Sequence, residues 1–240
     1  MPSRPTLVFY ISGHGFGHAS RDVEILNALH ARALEVRLVV RTSAPRWLFD
    51  LTLTAPVDWQ PRECDTGIVQ LDSLRLDLDA TLARADAFHR ALDAHAAEEA
   101  RFLQSAGADL VVGDIPPLAF AAAHAAGLPS IAVGNFTWDW IYGGYDEAAE
   151  RCPGLVPRLR AAYAHAIEAL RLPLHGGFDA IKNVTDVPFV ARRSTRDPLQ
   201  TRRRFGLPEE VKRDMRFVPA QTLEDVLKIA LPGATSARTA

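Results

Sequence analysis

Four short runs with apolar centres punctuate the chain: Thr6 to Ser12, which is nearly all apolar, Val36 to Arg41, Asp109 to Gly113 and Ser130 to Gly134. Runs of this length and character suit parallel strands buried on both faces. Between them the apolar positions recur at helical spacing. A helix is predicted from the glycine-rich turn Gly13 to His18 to about Ala33, with Val23, Leu26 and Leu29 on one face, and a short one over Ala44 to Asp50. Leu78, Leu82, Ala85, Phe88, Leu92, Ala96 and Leu103 predict one long helix, or two end to end, between about Leu76 and Ala106. A small-residue helix over Ala119 to Ala126 stops at Gly127, where a left-handed cap is expected. Leu53 to Val69 reads as short strands with loops. Pro157 to Leu170 reads as a helix, followed by short strands at Leu172 to Leu174 and Val187 to Ala191. Strands alternating with helices predict an α/β fold, a Rossmann-like parallel sheet with helices on both faces and ligands at the carboxyl ends of its strands.

Composition narrows the function classes. The 240 residues carry 27 Lys and Arg against 29 Asp and Glu, and 48% are hydrophobic. Near-neutral charge without a basic block gives no footprint for nucleic acid. No apolar run is long enough for a membrane span, and Leu7 to Ile11 is too short for a secretory signal, so a cytoplasmic location is expected. Cys64 and Cys152 cannot build a disulfide framework or a cysteine zinc site.

Chemistry-bearing residues gather at the predicted strand ends. Gly13, Gly15 and Gly17 follow the first strand and open a helix, letting the backbone bend tightly beside a ligand or simply make a tight turn. Their spacing is not the dinucleotide fingerprint, and Arg41-Thr42-Ser43 stands where that fingerprint needs an acid, which disfavours NAD. His18, in the first turn of the helix, is placed to take a proton from a hydroxyl; a loop-stabilising hydrogen bond is the plainer use. His14 lies four residues earlier, but the intervening glycines and the lack of a third ligand argue against a metal pair. Asp114 ends a strand and can orient His18, bind a sugar hydroxyl or cap the next helix. Asn135, Trp138, Asp139 and Tyr142 suit a pocket that stacks a sugar and binds its hydroxyls, while core packing is the competing use of the aromatics. Arg192, beside Arg193, can meet a phosphate or be a solvated charge.

The run Val8-Phe9-Tyr10-Ile11-Ser12-Gly13-His14-Gly15-Phe16-Gly17-His18-Ala19-Ser20-Arg21 resembles the opening of glycosyltransferase-like proteins of the two-domain GT-B fold. It is most similar to the amino-terminal, glycosyltransferase-like part of plant arabinokinases and their stand-alone bacterial relatives. The likeness returns at Asp109 to Pro117, at Asn135 to Tyr142 and at Asp186 to Arg193, and spans roughly the first 207 residues in order. The resemblance implies the acceptor-side domain of an inverting, metal-independent transfer from a nucleotide-sugar, with no cofactor. In it His18 would act as base, Asp114 would orient it or bind acceptor, and the glycines would keep the loop close to the reacting groups. The partner would be a sugar or glycoconjugate acceptor.

After Leu207 the resemblance stops. Residues 208–240 form an atypical tail with a short predicted helix at Leu223 to Leu231, similar to the carboxyl end of Lon-type proteases without their catalytic serine and lysine. The expected second, donor-binding domain does not follow. Residues 1–207 alone are therefore expected to be weak or inactive, to need a donor-domain partner, or to self-associate through apolar surface around Trp138 and Trp140. A non-catalytic sugar- or nucleotide-binding module and a truncated or fused gene product are the alternative readings.

Overall fold

The computed structural model describes residues 4–32, 35–191 and 196–206. It divides into two compact units, 1–190 and 191–240. The first is built on β1 (Thr6–Ile11), β2 (Arg37–Thr42), β3 (Val57–Pro61), β4 (Leu110–Asp114), β5 (Ser130–Phe136), β6 (Glu168–Gly176) and β7 (Val184–Asp186). All pairings are parallel, in the order β3-β2-β1-β4-β5-β6-β7. Strand order therefore reverses beside β1, and β1 and β4 lie side by side with Ile11 opposite Asp114.

Alternation along β1 sends Val8 and Tyr10 to one face, Phe9 and Ile11 to the other. The first face is covered by α3 (Leu78–Arg90), α4 (Leu92–Ala106), α5 (Pro117–Ala126) and α8 (Leu155–Tyr163), through Leu82, Leu103, Phe120 and Leu159. The second is covered by α1 (Gly17–Ala31) and α2 (Arg46–Asp50), through Val23, Leu26, Leu48 and Phe49. Each such side chain contributes about 1.5–3 kcal/mol by leaving water. Short helices α6 (Trp138–Gly143) and α7 (Asp146–Arg151) lie between β5 and α8. The doubly covered parallel sheet is the architecture the sequence predicts. The second unit contains α9 (Pro198–Arg204), capped by the Asp197 carboxylate, which accepts from Leu199 N at 2.7 Å.

Of the two readings of 76–106, the structure takes two helices end to end, meeting at Ala91, with Asp77 capping the first by accepting from Ala80 N at 2.9 Å. Two boundaries differ from expectation. The helix expected to run to Leu170 ends at Tyr163. There the phenol bridges Ile115 O and Trp138 N, and Ile167 N already pairs with Ser130 O to begin β6. The last strand of the sheet lies at 184–186 rather than 187–191, fixed by Arg171 gripping Asp186 with two hydrogen bonds. The predicted helix at Leu223 to Leu231, and the residues similar to a Lon-type protease, lie outside the described residues.

Candidate functional site

Because every strand is parallel, the segments following β1, β2, β4 and β5 emerge on one edge of the sheet. Gly13 brings the first two together: a Cβ on it would stand 2.0 Å from Ser43 Oγ. Gly15 takes φ +69°, a left-handed turn that glycine adopts without strain. The chain then enters α1 at Gly17, which sets His18 in the first turn, facing the end of β4.

His18 and Asp114 meet there. His18 Nδ1 lies 2.8 Å from Asp114 Oδ1, and both residues are buried. A carboxylate only accepts, so the ring proton sits on Nδ1 and points at Asp114. Nε2 has no protein hydrogen-bond partner among the described residues. Arg21, one turn along α1, holds the same carboxylate through Nε at 2.8 Å and Nη2 at 2.6 Å, and reaches Asn135 Oδ1 with Nη1 at 3.2 Å. Burial pushes the Asp114 carboxyl up, but His18 and Arg21 outweigh it and hold it below the usual carboxylate range. The Asp114 side is thus an anion braced by two neighbours. Phe136 fixes the His18 ring from the side, edge to face at 5.4 Å between centroids.

Beneath this pair lies a floor made from the segment after β3. Asp65 Oδ2 accepts from Trp138 Nε1 at 2.8 Å. Burial raises the Asp65 carboxyl, opposed by the Ser12 hydroxyl, by His18 and by Trp138. The His14 ring rests on Gly67, where a Cβ would come within 2.5 Å of it. Its Nδ1 accepts from Ile68 N at 3.3 Å, its edge meets Trp138 at 5.6 Å, and burial lowers its basicity.

The structure thus gathers His18, Asp114, Asn135, His14 and the three loop glycines at one sheet edge. Trp138, Asp139 and Tyr142 are placed differently from the expected open sugar pocket. Trp138 is 1% exposed and stacks on Tyr142, whose hydroxyl donates to Gly67 O at 2.8 Å. Asp139 is 2% exposed and pairs with Arg160 at 3.1 Å. These three hold the floor and have no free face for a ligand, and Trp138 contributes no open apolar surface. Trp140 is 51% exposed. Arg192 lies outside the described residues.

Two participants were not singled out in the sequence. Arg21 was legible, three residues from His18 on the same helical face. Asp65 was not, since it stands in the segment without periodicity. A recess of about 110 Å³ opens next to Arg21 and Asn135, walled by Leu172, Leu174 and Phe189. No described helix is long and apolar enough to cross a membrane.

No family model matches the chain. Over 206 residues it is 36% identical to the L-arabinokinase of Arabidopsis thaliana, covering 85% of this chain and 20% of that protein. Among solved structures it is similar to UGT89C1 of Arabidopsis thaliana, with a TM-score of 0.53 at 14% identity. The same protein complexed with quercetin gives 0.52 at 15%. Each alignment covers 86% of this chain and 56% of UGT89C1. The chain therefore spans about a fifth of its curated relative and just over half of these structures. It is homologous to a region of L-arabinokinase, and its fold is the Rossmann-like α/β fold of GT-B glycosyltransferases.

Proposed function

We propose that this chain supplies the acceptor side of an inverting sugar transfer from a nucleotide-sugar, with His18 as general base and no metal in the chemical step. The observation that carries the reading is the His18–Asp114 pair at the point where strand order reverses, with Nδ1–H spent on a braced carboxylate and Nε2 left unpaired. In the step, Nε2 takes the proton of an acceptor hydroxyl as its oxygen bonds to the anomeric carbon. The carbon–oxygen bond to the nucleoside diphosphate breaks, and the diphosphate leaves with the electron pair. Asp114 stabilises the imidazolium so formed, and Arg21 keeps Asp114 in place. Asn135 and the recess beside it offer an acceptor a polar end and an apolar wall. Gly13, Gly15 and Gly17 let the loop approach the reacting groups.

The test follows release of UDP from UDP-glucose, with L-arabinose among the acceptors offered. The chain is assayed by itself and with a donor-binding domain added. His18→Ala should lower transfer by about 10²–10⁴-fold while leaving acceptor binding in place. Transfer that survives His18→Ala refutes the base. Saturable sugar binding without transfer under any pairing would favour a binding module.

A further inference from the structure

Asp22 sits on α1 one turn beyond His18. It is fully buried, and neither carboxyl oxygen receives a hydrogen from another residue among those described. Its neighbour Arg21 directs its guanidinium to Asp114 and Asn135. On α1 it follows His18 and Arg21, both of which bond the Asp114 carboxyl, and it is the Asp114 carboxyl whose charge acts on Asp22. Two carboxylates can only accept, so a hydrogen bond between them requires that one keep its proton. Asp114 is the member supplied with donors, from His18 and Arg21. Asp22 has none, and burial, followed by the charge on Asp114, raises its carboxyl well above the usual range. Leaving a second anion there without a partner would cost several kcal/mol.

We infer that Asp22 is a neutral acid at pH 7 and donates its proton to Asp114, so that the buried pair carries a single negative charge. Asp22 is then a positioning residue that acts on the imidazole through Asp114. A third donor makes the Asp114 carboxylate less basic, so it orients the Nδ1–H without taking that proton. The other charged or titratable groups facing the His18 ring are Arg21 on α1, His14 in the loop after β1 and Asp65 in the segment after β3. None of them supplies a hydrogen to Asp22. The protonation of Asp22 follows from its burial. Only its consequence for the base rests on the proposed function.

The experiment uses the full chain labelled with ¹³C and ¹⁵N. The Asp22 carboxyl carbon should resonate as a neutral acid at pH 7, and an ionised signal there overturns the inference. In Asp22→Asn, which keeps a neutral donor, the His18 ring signals should move at the same pH as in the wild type. Removal of an ionised neighbour would instead displace that titration by about one unit or more, and such a displacement also overturns it. If Asp22→Asn does not fold, the wild-type carboxyl signal decides alone. A chain without transferase activity but with a neutral Asp22 defeats the proposed base and supports this inference. An ionised Asp22 in an active protein does the reverse.

Discussion

Glu99 is a buried acid that ties β1 and β2 to α4. It is 2% exposed on α4 and gathers two strands and the segment after β3: Tyr10 Oη from β1 at 2.7 Å, Arg41 from β2 through Nε at 2.9 Å and a second, shorter bond, and the charge of Arg62, whose Nε lies 3.2 Å away. Arg41 is itself buried, its guanidinium 4.1 Å from the Phe102 ring centroid. Glu99→Ala strands that cation and removes the acceptor of a buried phenol. Breaking a buried pair costs about 3–5 kcal/mol, and the phenol adds roughly 1 kcal/mol, so a loss of about 4–6 kcal/mol is expected. Against a total stability of about 5–15 kcal/mol this brings the protein close to unfolding at room temperature. The control is Asp50→Ala, which breaks the exposed Arg46–Asp50 pair on α2 and should cost less than about 0.5 kcal/mol. Urea unfolding followed by circular dichroism measures both. A loss below about 1 kcal/mol for Glu99→Ala, or equal losses for the two variants, would refute the assignment of Glu99 as the buried counter-charge.

Gly113→Ala should destabilise by about 1–3 kcal/mol, because the new Cβ would stand 2.6 Å from Phe120 Cζ and 3.1 Å from Ala119 Cβ inside the core; pairing it with Phe120→Leu should recover part of the loss in the same urea assay. Trp138→Phe keeps an aromatic ring but withdraws the N–H from Asp65 and leaves part of the buried indole volume empty, and a loss of at least about 1–3 kcal/mol is expected; a neutral result by thermal unfolding would show that the floor does not need that bond. Stability should also fall in mild acid through His89. Burial lowers this imidazole to about 4, so between its ordinary value of 6.5 and about 4 the unfolded chain binds the proton and the folded chain does not. The corresponding stabilisation is complete above 6.5, fades as pH falls to about 4 and amounts to roughly 3 kcal/mol. His89→Gln should flatten that part of the stability–pH curve, and an unchanged slope would exclude His89 as its source.

What could be read in the sequence follows from how each element is stabilised. β1, β2, β4 and β5 are buried on both faces, so each has a compact apolar centre that announces it. Gly107 and Gly127 adopt left-handed caps and mark the ends of α4 and α5. By contrast, nothing in Arg90-Ala91-Leu92 marks the break between α3 and α4. Alanine is the best helix former, and the break comes from tertiary demands: α3 is tied to α8 through Asp86 and Arg158, while α4 lies against α5. The overrun of α8 has the same origin, since Ala161, Ala162, Ala164 and Ala166 carry no stop signal and the strand that follows is specified by its pairing with β5. For the site, His18 and Asp114 were legible because glycine punctuation and a strand end bracket them. The aromatic run Trp138 to Tyr142 was ambiguous for a physical reason: the groups that would bind a sugar also satisfy a buried N–H and a buried phenol, and here they bond to Asp65 and Gly67.

The arginine at the end of β2 connects these two halves of the molecule. A dinucleotide-binding sheet needs an acid at that position; here Arg41 turns inward to Glu99, and Ser43, two residues on, closes against Gly13. Strand β1 is therefore tied to that core ion pair through Tyr10, and the loop after β2 is packed against the loop that follows β1. That loop leads into α1, whose first turn carries His18 and whose next turn carries Arg21. The single carboxylate that orders both is Asp114, anchored on the neighbouring strand by the parallel register with Ile11. The two ends of this sequence, Arg41–Glu99 and His18–Asp114, are buried polar contacts, so the His18 ring is held against the end of β4. In the proposed function, a base held in this way would need little rearrangement when a hydroxyl arrives, the condition under which one proton transfer contributes most to a rate.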